Sequence, residues 1–151
     1  KRDELLGPVW FNEGGAEYMA QIASHKARES GALADINSDG RWPFEFTQNM
    51  KNFMYNGLAN MKNVCPGSLI KDLSYENSCN NAAYDLGTWA HAYLAHNYGA
   101  DVLLNTFLPN VEKLGWEQSF INSYGITSDQ FYADFDQFLQ KSLDEQIEIL
   151  H

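Results

Sequence analysis

Apolar residues return at intervals of three and four along most of this chain, and nowhere do they alternate with period two for long enough to make a strand. That spacing leaves helices as the regular elements able to bury them. Glycines, prolines and capping residues then divide the chain. A first helix is expected from about Trp10 to Glu29, stopping at Gly31. A second is expected from about Pro43, which suits a helix start, to Lys62, with Phe46, Met50, Phe53, Met54, Leu58 and Met61 on one broad face. A third runs from about Asn80 to Tyr98, with Gly99 as its C-cap, and shorter helices cover roughly Ala100 to Leu108 and Trp116 to Tyr124. The last helix has the best-defined start. In "GITSDQF", Thr127 serves as N-cap, Gln130 can close a capping box, and Ile126 can staple to Phe131. Its stripe of Phe131, Phe135, Phe138 and Leu139, continued by Ile147 and Leu150, reads as core. The expected fold is all-α, a bundle of five or six helices forming a single domain over residues 1–151.

With 151 residues, 44% of them hydrophobic, the chain is long enough and apolar enough to bury a core. Its formal net charge of −10 argues against nucleic acid and against an anionic membrane surface as partners. No apolar run approaches the length of a transmembrane helix, so membrane insertion is not expected. The chain opens on Lys1 with no apolar leader, which points to a processed protein or a cut segment. Cys65 and Cys79 flank the turn-rich stretch "CPGSLIKDLSYENSC". A local disulfide between them is expected, and with it an exported protein, periplasmic or secreted; the alternative is two free thiols. No CxxC pair or Cys/His cluster suggests a structural zinc knot.

Chemistry is concentrated in "GPVWFNEGGAEYMA". Glu13 and Glu17 lie one helical turn apart, on one face, in an apolar and aromatic setting. Paired carboxylates can act as general acid and base or as hard metal ligands, and they can equally form a solvated face near a helix N-terminus. Gly14 and Gly15 each cost about 1 kcal/mol relative to Ala inside a helix, so another backbone or a ligand is expected to come close there.

The segment "WFNEGGAEYMA" resembles the one that supplies the third zinc ligand in the gluzincin metallopeptidases, the thermolysin-like and aminopeptidase-like group. By that resemblance the ligand is Glu13, and Glu17 sits behind it, orienting a histidine ligand. A second stretch, "AAYDLGTWAHAYLAHNYGADVLLNTFL", resembles the aminopeptidase-branch segment that begins Tyr-x-Lys-Gly. Its oxyanion-stabilising tyrosine falls on Tyr84, with Leu86 where that branch has lysine. "GWEQSFINSYGITSDQFYADFDQFL" is similar to the helical tail of such domains. The resemblance covers most of residues 8–139 and implies the C-terminal helical part of a larger metallopeptidase-like domain acting on a peptide or protein substrate. No HExxH occurs. Of the histidines, His91 and His96 are five apart, about 140° around a helix, and cannot replace that motif. His25 lies three turns beyond Glu13. The chain is therefore expected to be inactive alone and to hold zinc weakly, an intact homologue supplying two histidines from upstream; the other account is a relative that kept the helical scaffold and lost its metal site. Glu13 and Tyr84 should share one concavity, open where the missing helix would pack, with Gly14 and Gly15 beneath that helix and an exposed face fit for self-association.

The loop "DINSDG" places Asp35, Asn37 and Asp39 as in the first half of a calcium loop, but the closing acid, Glu45, falls one position short. A plain turn without tight calcium binding is expected. Trp42, Phe44 and Phe46 read as core, with a peptide cleft as the alternative. The second functional reading is a non-catalytic helical module that binds a peptide or protein, stiffened by calcium in one version.

Overall fold

The computed structural model describes residues 5–32, 45–76 and 78–151. Among them are seven α-helices and no strand, so the expected all-α bundle is the fold. We label them α1 (Val9–Glu29), α2 (Phe46–Asn63), α3 (Asn80–Tyr98), α4 (Leu108–Leu114), α5 (Trp116–Tyr124), α6 (Ser128–Leu139) and α7 (Leu143–Ile147). Single 3-10 turns lie at Ile70–Asp72 and Glu148–Leu150.

Helix α3 is the centre. Ten of its nineteen residues are buried, more than a one-faced surface helix can hide, so it needs neighbours on several sides. Helices α1 and α2 both pack on it. Small residues permit close approach. A Cβ added at Gly14 would overlap the backbone of Gly87, and one added at Gly87 would overlap the carbonyl of Trp10. On the α2 side, a Cβ at Gly57 would stand 2.8 Å from the amide nitrogen of Leu86. The glycines therefore let α1 and α2 meet α3 nearly backbone to backbone.

The aromatic stripe of α6 closes the other side. Phe131 and Phe135 are fully buried, and Phe131 stacks on Trp10 with ring centroids 5.1 Å apart. The Trp10 indole donates from Nε1 to the Tyr132 hydroxyl at 3.2 Å. Behind α6, the buried Gln146 accepts from Trp89 Nε1 at 3.3 Å and donates to the carbonyls of Leu139 and Lys141, satisfying the end of that helix. Cys65 and Cys79 are joined by the expected disulfide.

Several boundaries differ from expectation. Helix α2 starts at Phe46, where the Glu45 carboxylate accepts from the amides of Thr47 and Gln48. Pro43, Trp42, Phe44 and the calcium-like Asp35, Asn37 and Asp39 lie outside the described residues. The helix expected to end near Leu108 instead passes through a π-helical stretch, Leu103–Phe107, into α4. Pro109 has no N–H to continue an α-ladder, and just before it the Leu108 amide reaches back to the carbonyl of Leu103. Thr127 caps α6 through the Gln130 amide, but the Gln130 side chain turns to Asp134 and leaves the box open. The tail is a separate helix, because Ser142 and Glu145 form a capping box of their own.

Candidate functional site

The half-buried polar edge of α1 carries Glu13, Glu17 and Gln21 at four-residue steps, which keeps them on one face. The Glu13 carboxylate accepts a hydrogen bond from the Tyr75 hydroxyl, in the segment bracketed by the disulfide. From α3, Tyr84 meets the same carboxylate. A hydrogen-bonding interaction with Glu13, then desolvation, then the charge of Glu13 hold the Tyr84 phenol above its ordinary pKa, since each disfavours phenolate. Glu13 and Tyr84 therefore interact, and both tyrosines are exposed, but Glu13 is not among the residues lining the cavity beside Tyr84.

Glu17 accepts from Gln21 Nε2 at 2.9 Å, and Gln21 Oε1 in turn accepts from Asn49 Nδ2 of α2 at 3.2 Å. Next to Tyr84, the half-buried Asp85 accepts from Asn60 Nδ2 at 3.3 Å. Burial raises the Asp85 carboxyl above its usual range and the charge of Glu17 adds to this, while the Asn60 bond opposes both. The polar edges of α1 and α2 thus meet through Gln21 and Asn49, and Asn60 of α2 meets the first turns of α3. A cavity of about 290 Å³ opens there, lined by Asn56, Ala59, Asn60, Asn81, Tyr84 and Asp85.

Other expectations do not come together at Glu13. Gly14 and Gly15 do not lie beneath a missing helix. Gly14 faces Gly87, and a Cβ at Gly15 would stand 3.0 Å from Nε2 of His91, so α3 of this same chain accounts for both. His91 is buried, its Nε2 donating to the Phe11 carbonyl at 2.8 Å; burial lowers its pKa to about 4 and keeps it neutral. His25 stacks on Phe46 and faces Glu29 at 3.4 Å. Glu17 meets Gln21, and no histidine is among its hydrogen-bonding partners within the described residues. Among those residues no group of three His, Cys, Asp or Glu side chains could hold a metal ion. Glu13 would be one ligand where a catalytic zinc takes three from protein.

Two features went unread in the sequence. Tyr75 carried no signal, because only the fold brings it to Glu13. The asparagines of α2 did carry one. Asn49, Asn52, Asn56, Asn60 and Asn63 recur at steps of three, four, four and three. At 100° per residue they fall within an arc of about 80° on one side of the helix. Compared with known protein families, curated proteins and solved structures, the chain matches none.

Proposed function

We propose that this chain is the helical part of an exported gluzincin-type metallopeptidase-like protein, contributing Glu13 as one zinc ligand and Tyr84 as an oxyanion-stabilising donor, and inactive by itself. The observation that carries the reading is the adjacency of the Glu13 carboxylate and the Tyr84 phenol, from two helices and 71 positions apart in sequence. A helix–helix contact held by Gly14 and Gly87 fixes that adjacency without needing either residue, so its chemistry calls for a separate reason. The disulfide is compatible with export. The two histidine ligands and the general base belong, on this reading, to a segment outside this chain.

The test is on the parent protein. Its reading frame should encode HExxH upstream of Lys1, and the purified protein should carry one zinc. Glu13→Gln should lose the metal, and Tyr84→Phe should keep it while losing turnover on a peptide substrate. Zinc retained in full by Glu13→Gln, or a reading frame without HExxH, removes the enzyme reading.

The second reading is a non-catalytic peptide-binding module. It is favoured by the surroundings of Glu13, which meets the Tyr75 hydroxyl and the Tyr84 phenol and no histidine among the described residues. Zinc uptake by the parent protein separates the two.

A further inference from the structure

Packing uses only part of the asparagine stripe of α2, for Asn52, Asn56 and Asn63 are exposed. Asparagine is a weak helix former, and five in one helix cost about 2–3 kcal/mol relative to alanine. Packing does not offset this. Asn49 and Asn60 reach other helices, Asn52 accepts only from Gln48 on its own helix, and the side chains of Asn56 and Asn63 bond to no described residue. On α3, Asn81 faces the same cavity and is likewise without a partner among the described residues.

We propose that this stripe is a ladder for the main chain of an extended peptide, with a basic side chain of that peptide seated beside Asp85. The inference takes from the proposed function only that the ligand is a peptide; it does not depend on zinc. Three arguments support it. A carboxamide offers one acceptor and two donors, matching the C=O and N–H of a peptide group. Asparagines four apart on a helix are separated by about 6 Å along its axis, close to the roughly 6.7 Å between alternate residues of an extended chain. Successive rungs can therefore engage every second peptide unit. Finally, Asp85 is the one carboxylate lining the cavity and makes no ion pair among the described residues, so the cavity favours a cationic side chain over an anionic one. The cavity of about 290 Å³ against Asn56, Asn60, Asn81 and Tyr84 has room for such a side chain. No bond forms or breaks in this step; the groove binds and aligns.

The test is a titration of the isotopically labelled chain with an acetylated, amidated alanine hexapeptide carrying one lysine, with chelator present throughout. The side-chain NH2 signals of Asn56, Asn60 and Asn81 should shift together. A version N-methylated at alternate peptide groups should bind about tenfold more weakly, since it lacks main-chain donors. A version with glutamate for lysine should also weaken. The double variant Asn56→Ala, Asn63→Ala should lose affinity severalfold while melting no lower than the parent, because alanine is the better helix former. Equal binding of the N-methylated peptide, or undiminished binding by the double variant, overturns the ladder. Because the chelator removes metal chemistry, failure of the zinc reading leaves these outcomes untouched.

Discussion

Replacing Gly14 by alanine sets two effects against each other. Helix propensity favours the change by about 1 kcal/mol. The structure opposes it. The new Cβ would lie 2.5 Å from Gly87 Cα and closer still to the adjoining carbonyl, where carbon atoms need about 3.5 Å. The obstacle is backbone, so no rotamer change relieves it, and α1 must move from α3 by about 1 Å. Trp10, Leu86 and Trp89, all fully buried around that crossing, then lose contact. Overpacking of this kind costs about 1–3 kcal/mol, and an immovable partner puts Gly14 at or above the top of that range. The net expectation is a loss of about 2 kcal/mol, or a fall of roughly 4–8 °C in melting temperature for a chain of this size. Thermal unfolding followed by far-UV circular dichroism measures it. Gly87→Ala should behave alike, Gly57→Ala should be milder, and Gly15→Ala mildest, since its Cβ meets only the ring of His91. If Gly14→Ala melts at or above the parent, propensity has won and the backbone contact is not there.

The buried His91 should make stability pH-dependent. Its folded pKa of about 4 lies below the ordinary 6.5, so the unfolded chain binds the extra proton between those values. Stability should fall by about 3 kcal/mol as pH drops from 6.5 to 4, and urea unfolding of His91→Gln should lack that component. Glu13→Gln should lower the Tyr84 pKa toward that of free tyrosine, because the carboxylate that opposes phenolate is gone; NMR titration of the ring would detect it, and an unmoved pKa would deny the contact. Reducing the Cys65–Cys79 bond, whose ends are 14 positions apart, should cost roughly 3 kcal/mol by the chain-entropy argument, read as a lower denaturation midpoint with reductant.

What the sequence disclosed depended on whether the cause was local. Helix α3 ends at Gly99 and α5 runs from Trp116 to Tyr124 as the spacing predicts, because caps and glycines act within a turn. The Ser142–Glu145 capping box was equally local and legible, yet the apolar stripe running on to Leu150 masked it. The start of α2 was read from Pro43 where Glu45 does the capping. The π-helical register before Pro109 depends on which carbonyl each amide finds, and residue types alone do not fix that. At the site, the Glu13–Tyr84 pairing came from a resemblance, whereas Tyr75 depended on a loop whose path only the folded chain defines. Gly14 and Gly15 correctly signalled a close approach, but the approaching element was α3 and not an absent helix.

The Gly14–Gly87 contact has a consequence for how Glu13 and Tyr84 behave in time. Glu13 immediately precedes one of these glycines, and Tyr84 stands one turn before the other. Side chains between helices act as compliant spacers, because rotamer hops let the axes drift. Here no spacer exists, and main chain rests on main chain. The gap between the carboxylate-bearing and phenol-bearing turns is thus set by the stiffest part of the molecule. Thermal motion at the pair reduces to rotation of two side chains about anchored stems, which is the form of order a preorganised polar site requires.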